Sequence, residues 1–364
     1  MFRTDWGTPE PLRGYRIHTL AVDSPLTRQT MNRWGSRTPL LALLLAIQAC
    51  DLPPAHGDAN SFIVGASPEL WAQVEDVFLD AMEPTVQTVR NERPFRLTHQ
   101  DPTDLADWGV LQRFRQVLVL GVIGDPWIDQ ALAVMEEPIG SAPTVGQVLN
   151  VWARGQQVSV LLLPATGQVE AVRQLSGELH GILDDQFRSY ARNRMFISGE
   201  DLALADSLMT NVGFSVLLPV VYRYSTQDSI FRFRNDNPSP AELIRELSVS
   251  WRTPAVEADP TAEELHVWRD GFTAEYYNDA QLVDSLTVSF GEFQSEAGRG
   301  VEYQSAWVSA PGAWPAGGPF ITRVLTCPAQ DRTYYLDAWL YAPGRDKYEY
   351  MIQLQTVLDS FRCR

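Results

Sequence analysis

Pro39 to Ala49 (PLLALLLAIQA) is an almost unbroken apolar run, preceded by Arg33 and Arg37 and closed by Cys50. It divides the chain, because such a run is an address rather than part of a fold. As a helix rising about 1.5 Å per residue it reaches roughly 16 Å, half of a ~30 Å hydrocarbon core. A permanent span is therefore a poor fit. A short cationic stretch followed by a short apolar one is the pattern of an export signal, expected here over residues 31–49.

The run ends Ile47-Gln48-Ala49-Cys50. This resembles the lipobox of bacterial lipoproteins: a branched apolar residue, a loosely constrained one, a small one, then cysteine. The resemblance implies that Cys50 takes a thioether-linked diacylglycerol and becomes the mature N-terminus, anchored by acyl chains that hold stably as a pair where one does not. The alternative is ordinary secretory cleavage beside an incidental cysteine. Residues 1–30 are mixed, with no apolar period, and precede Met31. They are expected to be either upstream of the true start or an extended cationic region.

The first 49 residues carry six Arg against Asp5, Glu10 and Asp23, so the chain's net -16 becomes -19 beyond them. With no basic cluster, the electrostatic footprint of nucleic-acid binding is missing, and nucleic acid is excluded as a partner. The same charge predicts repulsion from anionic lipid, so attachment to the membrane is expected through the N-terminal lipid. Lys347 is the only lysine. At 45% hydrophobic and 10% aromatic residues the chain is ordinary globular material, and its length beyond the signal suggests two domains.

The expected organisation is a tether over 50–60, an N-terminal α+β domain over 61–197 and a C-terminal α+β domain over 198–364. In the first, Ser67-Pro68-Glu69 opens a helix that runs to Pro84, with a hydroxyl cap and Pro at the first helical position. Strands are expected at 61–65, 94–99, 115–123, 150–153 and 157–163. Thr166 is expected to cap a long helix whose Val172, Leu175, Leu179, Ile182, Leu183 and Phe187 share a face. Ser198 to Asp206 is read as a polar connection. The second domain has aromatic strands at 214–218, 221–224 and 230–233, and a short one at 248–251. A capping box at Thr261 and Glu264 leads a helix. Strands near 301–308, 319–326 and 333–341 precede a last helix that Asp346 is expected to cap. Each unit should be an antiparallel or mixed sheet flanked by helices. The element order of the second loosely resembles the Mog1/PsbP-like fold, which carries no activity with it.

Two stretches suggest a family. Residues 316–361 (AGGPFITRVLTCPAQDRTYYLDAWLYAPGRDKYEYMIQLQTVLDSF) and 212–236 (VGFSVLLPVVYRYSTQDSIFRFRND) are similar to the domain of unknown function numbered 4837, found in bacterial envelope lipoproteins. Glu92–Phe95 and Arg113–Leu118 fit its first half more weakly. The shared motifs are structural, so the resemblance implies location and fold but no catalytic residue.

The chemistry-bearing residues point the same way. Once Cys50 is assigned to lipid, Cys327 and Cys363 form an even pair, able to bridge in an oxidising envelope or to stand as two thiols. His18, His56, His99, His180 and His266 are scattered rather than spaced as metal ligands. His266 and Asp270 are expected to be a solvated pair four residues apart. There is no G-x-S-x-G, and Ser67 is better used as a cap. Glu136-Glu137 and Asp184-Asp185 are adjacent acids, expected on solvated surfaces. Gly121-Val-Ile-Gly124 lacks a third glycine, and Pro126 is read as interrupting the segment after it, so no metal and no cofactor are expected. Trp314, Gly317, Gly318 and Phe320 form a candidate binding loop, since an exposed Trp beside glycines can stack on a glycan or peptide. The expected function is a membrane-anchored envelope lipoprotein acting as a non-enzymatic binding or assembly module, with an envelope protein or a glycan as partner. The alternative is an envelope hydrolase whose carboxylates meet only in the fold. A groove lined by aromatics would favour the first, and a pocket of several inward acids the second.

Overall fold

The computed structural model describes residues 52–364; the export signal, Cys50, His18 and the first thirty residues lie outside the described residues. The N-terminal half alternates strands and helices. β1 (Ser61–Gly65), α1 (Pro68–Met82), a two-rung ribbon of β2 (Val86–Gln87) and β3 (Asn91–Glu92), β4 (Arg96–Gln100), α2 (Leu105–Leu111), β5 (Gln116–Gly121), α3 (Pro126–Leu132), β6 (Thr144–Leu149), β7 (Gln157–Leu162) and α4 (Gln168–Met195) follow one another. The sheet order is β4-β1-β5-β7-β6, parallel except for the edge strand β6. Phe62, Val64, Leu118 and Leu120 pack under α1 and α4. Ile63, Val117, Val119 and Val160 pack against Trp108 of α2 and Trp127 and Ile128 of α3. A sheet covered on both faces wants apolar residues at every position, which is why β5 reads as an unbroken hydrophobic run.

The C-terminal half adds α5 (Leu202–Asn211), β8 (Phe214–Ser215), β9 (Arg223–Gln227), β10 (Ile230–Asn235), β11 (Ile244–Arg252), α6 (Ala262–Tyr276), β12 (Gln281–Ser295), β13 (Gly298–Ser309), β14 (Gly317–Cys327), β15 (Arg332–Tyr341), α7 (Tyr348–Asp359) and β16 (Arg362–Cys363). Its seven-stranded sheet is antiparallel throughout, in the order β12-β13-β14-β15-β11-β10-β9. α5 and α7 cover one face through Phe233, Leu247, Leu336, Leu354 and Leu358. α6 lies on the other, over Tyr303, Phe320 and Tyr335. Both halves are thus α+β units, one built on a mixed sheet and one on an antiparallel sheet.

Residues 51–364 form one compact unit. α4 packs against both α1 and α7, and Ile352 of α7 joins the N-terminal core. The backbone N–H of Lys347 donates to Glu92 Oε2 at 2.7 Å, and Lys347 Nζ lies 3.3 Å from Glu92 Oε1, with both side chains buried. A carboxylate from the first half thereby caps the last helix of the second and faces its positive end. Asp346 is not the cap expected from sequence; it is spent on Arg96.

Other expectations shift for local reasons. The long helix begins after Gly167, in the left-handed region at φ 76°, and Thr166 does not cap it. Pro126 occupies the first turn of α3, where its missing N–H costs nothing, so it starts a helix instead of interrupting one. The polar connection at 198–206 runs into α5, capped by Asp201, whose carboxylate accepts from Leu204 N–H at 3.0 Å. The strand expected at 150–153 ends earlier, at Leu149, and the one expected over 214–218 is only two residues long. The fifteen-residue β12 has no counterpart among the expected strands. Ser67 and the Thr261–Glu264 box cap their helices as read.

Candidate functional site

Alternation places every second residue of the antiparallel sheet on the side of α6. That helix is too short to cover its face. Beyond its C-terminal end lies an open cleft of about 520 Å³, bounded by β10, β11, β13, β15 and the loop between β13 and β14. Across it the chemistry changes. Trp307, Trp339 and Tyr341 lie at the β13–β15 end and Arg232 and Arg234 on β10 at the other, four strands from β13. At ~4.8 Å per strand the span is roughly 19 Å.

The arginine end is held by Glu246, which is fully buried. Arg232 donates to Glu246 Oε1 from Nε at 2.9 Å and Nη2 at 2.7 Å, and Arg234 Nη1 donates to Oε2 at 3.2 Å. Arg232 also donates to the Tyr276 carbonyl at 3.1 Å and lies 5.0 Å over the Tyr277 ring. One carboxylate therefore faces two guanidinium groups; Arg234 Nε also lies 3.6 Å from Asp236, and Asp279 lines the same cleft. Arg234 is the more open of the two.

A sealed polar network lies beneath. Asp337, fully buried, accepts from Arg269 Nε at 2.8 Å, Thr322 Oγ1 at 2.7 Å and Tyr277 Oη at 3.0 Å. Arg269, also fully buried, donates from Nη2 to Gln281 Oε1 at 2.7 Å and lies 3.7 Å over the Phe320 ring. Burial, reinforced by the carboxylates of Asp337 and Glu246, holds the Tyr277 hydroxyl well above the ordinary tyrosine pKa, so it remains a hydrogen-bond donor. At the aromatic end the buried Trp339 Nε1 has no partner, whereas Trp307 Nε1 donates to the Leu340 carbonyl at 3.2 Å.

The candidate binding loop separates into different roles. Trp314 is 84% exposed and lines the cleft from the loop between β13 and β14. Phe320 is fully buried under Arg269 and is not part of a loop, which corrects that expectation. Gly317 and Gly318 begin β14. A side chain at Gly318 would strike the Leu340 carbonyl and the Trp307 indole, so this glycine lets Trp307 sit against the sheet.

The remaining candidates are elsewhere. Cys327 and Cys363 are joined in a disulfide with Cα atoms 6.4 Å apart. His99 stacks on Trp71 at 4.5 Å and meets the Ala66 carbonyl at 2.9 Å; His266 lies 3.4 Å from Asp270. Glu136 and Glu137 are exposed, but Asp184 is not a free surface acid: it binds Arg188 and Tyr348 between α4 and α7. Among the described residues no three His, Cys, Asp or Glu are grouped as a metal site, and no helix is long and apolar enough to cross a membrane.

Sequence reasoning passed over Arg232, Arg234, Glu246, Trp307 and Trp339. The available signal was in β10: IFRFRN alternates apolar and basic, which puts both arginines on one face and Phe231 and Phe233 on the other.

The cleft falls within residues 201–360, the stretch matched by the family model described as Domain of unknown function (DUF4837). No curated protein matches the chain. Two solved structures show a partial likeness. The solution structure of cyanobacterial PsbP (CyanoP) from Synechocystis sp. PCC 6803 is 13% identical, with 42% of this chain and 87% of that one covered and a TM-score of 0.29. The Ran-binding protein Mog1p of Saccharomyces cerevisiae is 9% identical, with 42% and 90% covered and a TM-score of 0.27. Residues 201–360 thus belong to the DUF4837 family.

Proposed function

We propose that this chain is a lipid-anchored binding module of the bacterial envelope, and that the cleft beside α6 takes an elongated acidic glycan. Sugar rings have apolar faces suited to the exposed indole of Trp314, and a carboxylate or phosphate on the same ligand suits Arg234. The observation that supports this is the polarity of the cleft, aromatic at one end and arginine-bearing at the other within a chain of net charge -16. The hydrolase alternative draws less support. Glu246 already binds two guanidinium groups, and Asp337 is sealed below the cleft, so neither is placed to exchange a proton with a ligand.

Calorimetric titration with acidic and neutral oligosaccharides tests the reading. Acidic ligands should bind and their neutral counterparts should not. Trp314→Ala should weaken binding about tenfold or more while leaving the melting temperature unchanged, as for an exposed anchor residue. Equal affinity for neutral sugars, or a loss of stability matching the loss of binding, would defeat it. The anchor is tested separately: Cys50→Ala should abolish acyl labelling.

A further inference from the structure

The five arginines 113, 115, 154, 192 and 364 have no side-chain hydrogen bond, ion pair or ring contact among the described residues. Three of them converge. The backbones of Arg113, Arg115 and Arg154 are those that hold the entering chain: Ala55 N–H donates to the Arg154 carbonyl at 2.9 Å and Arg154 N–H to the Pro53 carbonyl at 2.8 Å. On the other side His56 N–H donates to the Arg113 carbonyl at 3.3 Å and Arg115 N–H to the His56 carbonyl at 2.6 Å. Residues 53–56 of the expected tether are therefore laid across the base of the first sheet.

That base is stiff. Buried Gln156 donates to the carbonyls of Gln112 and Phe114 and accepts from Trp152 N–H, tying its loops together. Leu52, Val110 and Leu149 lie exposed among the arginines, 37%, 59% and 62%. Unpaired cations with exposed apolar side chains, where the chain departs toward its apolar run and Cys50, match the interface of a bilayer, with charge for headgroups and short hydrocarbon for the boundary below.

We infer that this base is a docking surface for an anionic bilayer, orienting the body on the membrane that holds the N-terminal segment. Charge summed over the whole chain predicts repulsion. The local arrangement reverses the sign where contact occurs, because screening over ~8 Å hides the distant acids. The inference rests on the N-terminal anchoring proposed above, which acyl labelling tests separately, and it does not involve the cleft.

The test is hydrogen–deuterium exchange of the full chain reconstituted in vesicles of phosphatidylcholine alone or phosphatidylcholine with phosphatidylglycerol. Three arginines acting together predict on the order of a hundredfold preference for the docked state on the anionic vesicles. Segments 52–56, 110–116 and 149–156 should exchange more slowly there, and the protection should vanish in molar salt, where screening shortens to about 3 Å. Charge reversal at Arg113, Arg115 and Arg154 should abolish it, and their milder replacement by glutamine should reduce it. Reversal at the equally unpaired Arg192 and Arg364 should leave it intact. Identical exchange on the two vesicles, or protection that survives reversal of the three, overturns the inference.

Discussion

The two sheets solve the same burial problem differently, and the difference locates the cleft. The N-terminal sheet is covered on both faces, by α1 and α4 on one side and α2 and α3 on the other. Its polar surface lies at its ends, and no central strand offers a polar side chain to a ligand in a layer between helices. The C-terminal sheet has seven strands but a single helix, α6, on its second face. Where that helix stops, half-buried side chains of the sheet face, Arg232, Arg234, Ile244 and Tyr341, border an open cleft, and the charged ones are held by buried partners. The candidate site is thus a place where the layers run out.

The largest test of this contrast concerns the buried pair beneath the cleft. Arg269→Met should cost about 3–5 kcal/mol of stability by leaving Asp337 buried and uncompensated, read as a lower denaturant midpoint. The double variant Arg269→Met with Asp337→Leu should recover most of that loss. If it does not, the network is holding the face in shape and not only neutralising itself.

A smaller effect is expected at the junction of the halves. Glu92→Ala removes the carboxylate from Lys347 and from the start of α7 and should cost about 3 kcal/mol. Monitored by probes in both sheets, unfolding should remain a single transition in the native chain and separate into two in the variant. A single transition in both would show that α4 alone couples them.

The mildest perturbation is alkaline. Burial raises the Tyr222 hydroxyl to about 12, with Arg245 opposing, and burial also lifts Tyr277, Tyr303, Tyr334 and Tyr335; all lie in the second half. Above pH 10 the unfolded chain loses these protons while the folded chain keeps them, so stability falls as pH rises from about 10 to 12. Tyr222 alone should account for about 2–3 kcal/mol. Tyr222→Phe should flatten the profile, and because that hydroxyl has no partner it should cost little at neutral pH. A pH profile unchanged by the substitution would remove Tyr222 from the account.

The sequence makes legible whatever is decided within a few residues. Ser67-Pro68 and the Thr261–Glu264 box start helices by contacts three residues long, and β5 announces its double burial by composition. The start of α7 could not be read that way, since its cap, Glu92, lies 255 residues away. Pro126 was ambiguous because the same ring that ends a helix fits the first turn of one. The cleft was harder still. Its residues come from β10, β11, β13, β15 and a loop, and Arg232 and Arg234 gain meaning only when strand order brings them across from Trp307 and Trp339. Trp314 was visible because it stands alone on its loop.

The unbroken α4 sets the mechanics of the body. Its 28 residues make a rod about 42 Å long, touching α1 and α7 along its length. Because α7 of the second half lies against this rod, bending between the halves has to part the α4–α7 packing and the buried Glu92–Lys347 contact. The rod thus serves as a shared spine, held on one side by its own sheet and on the other by the last helix of the chain.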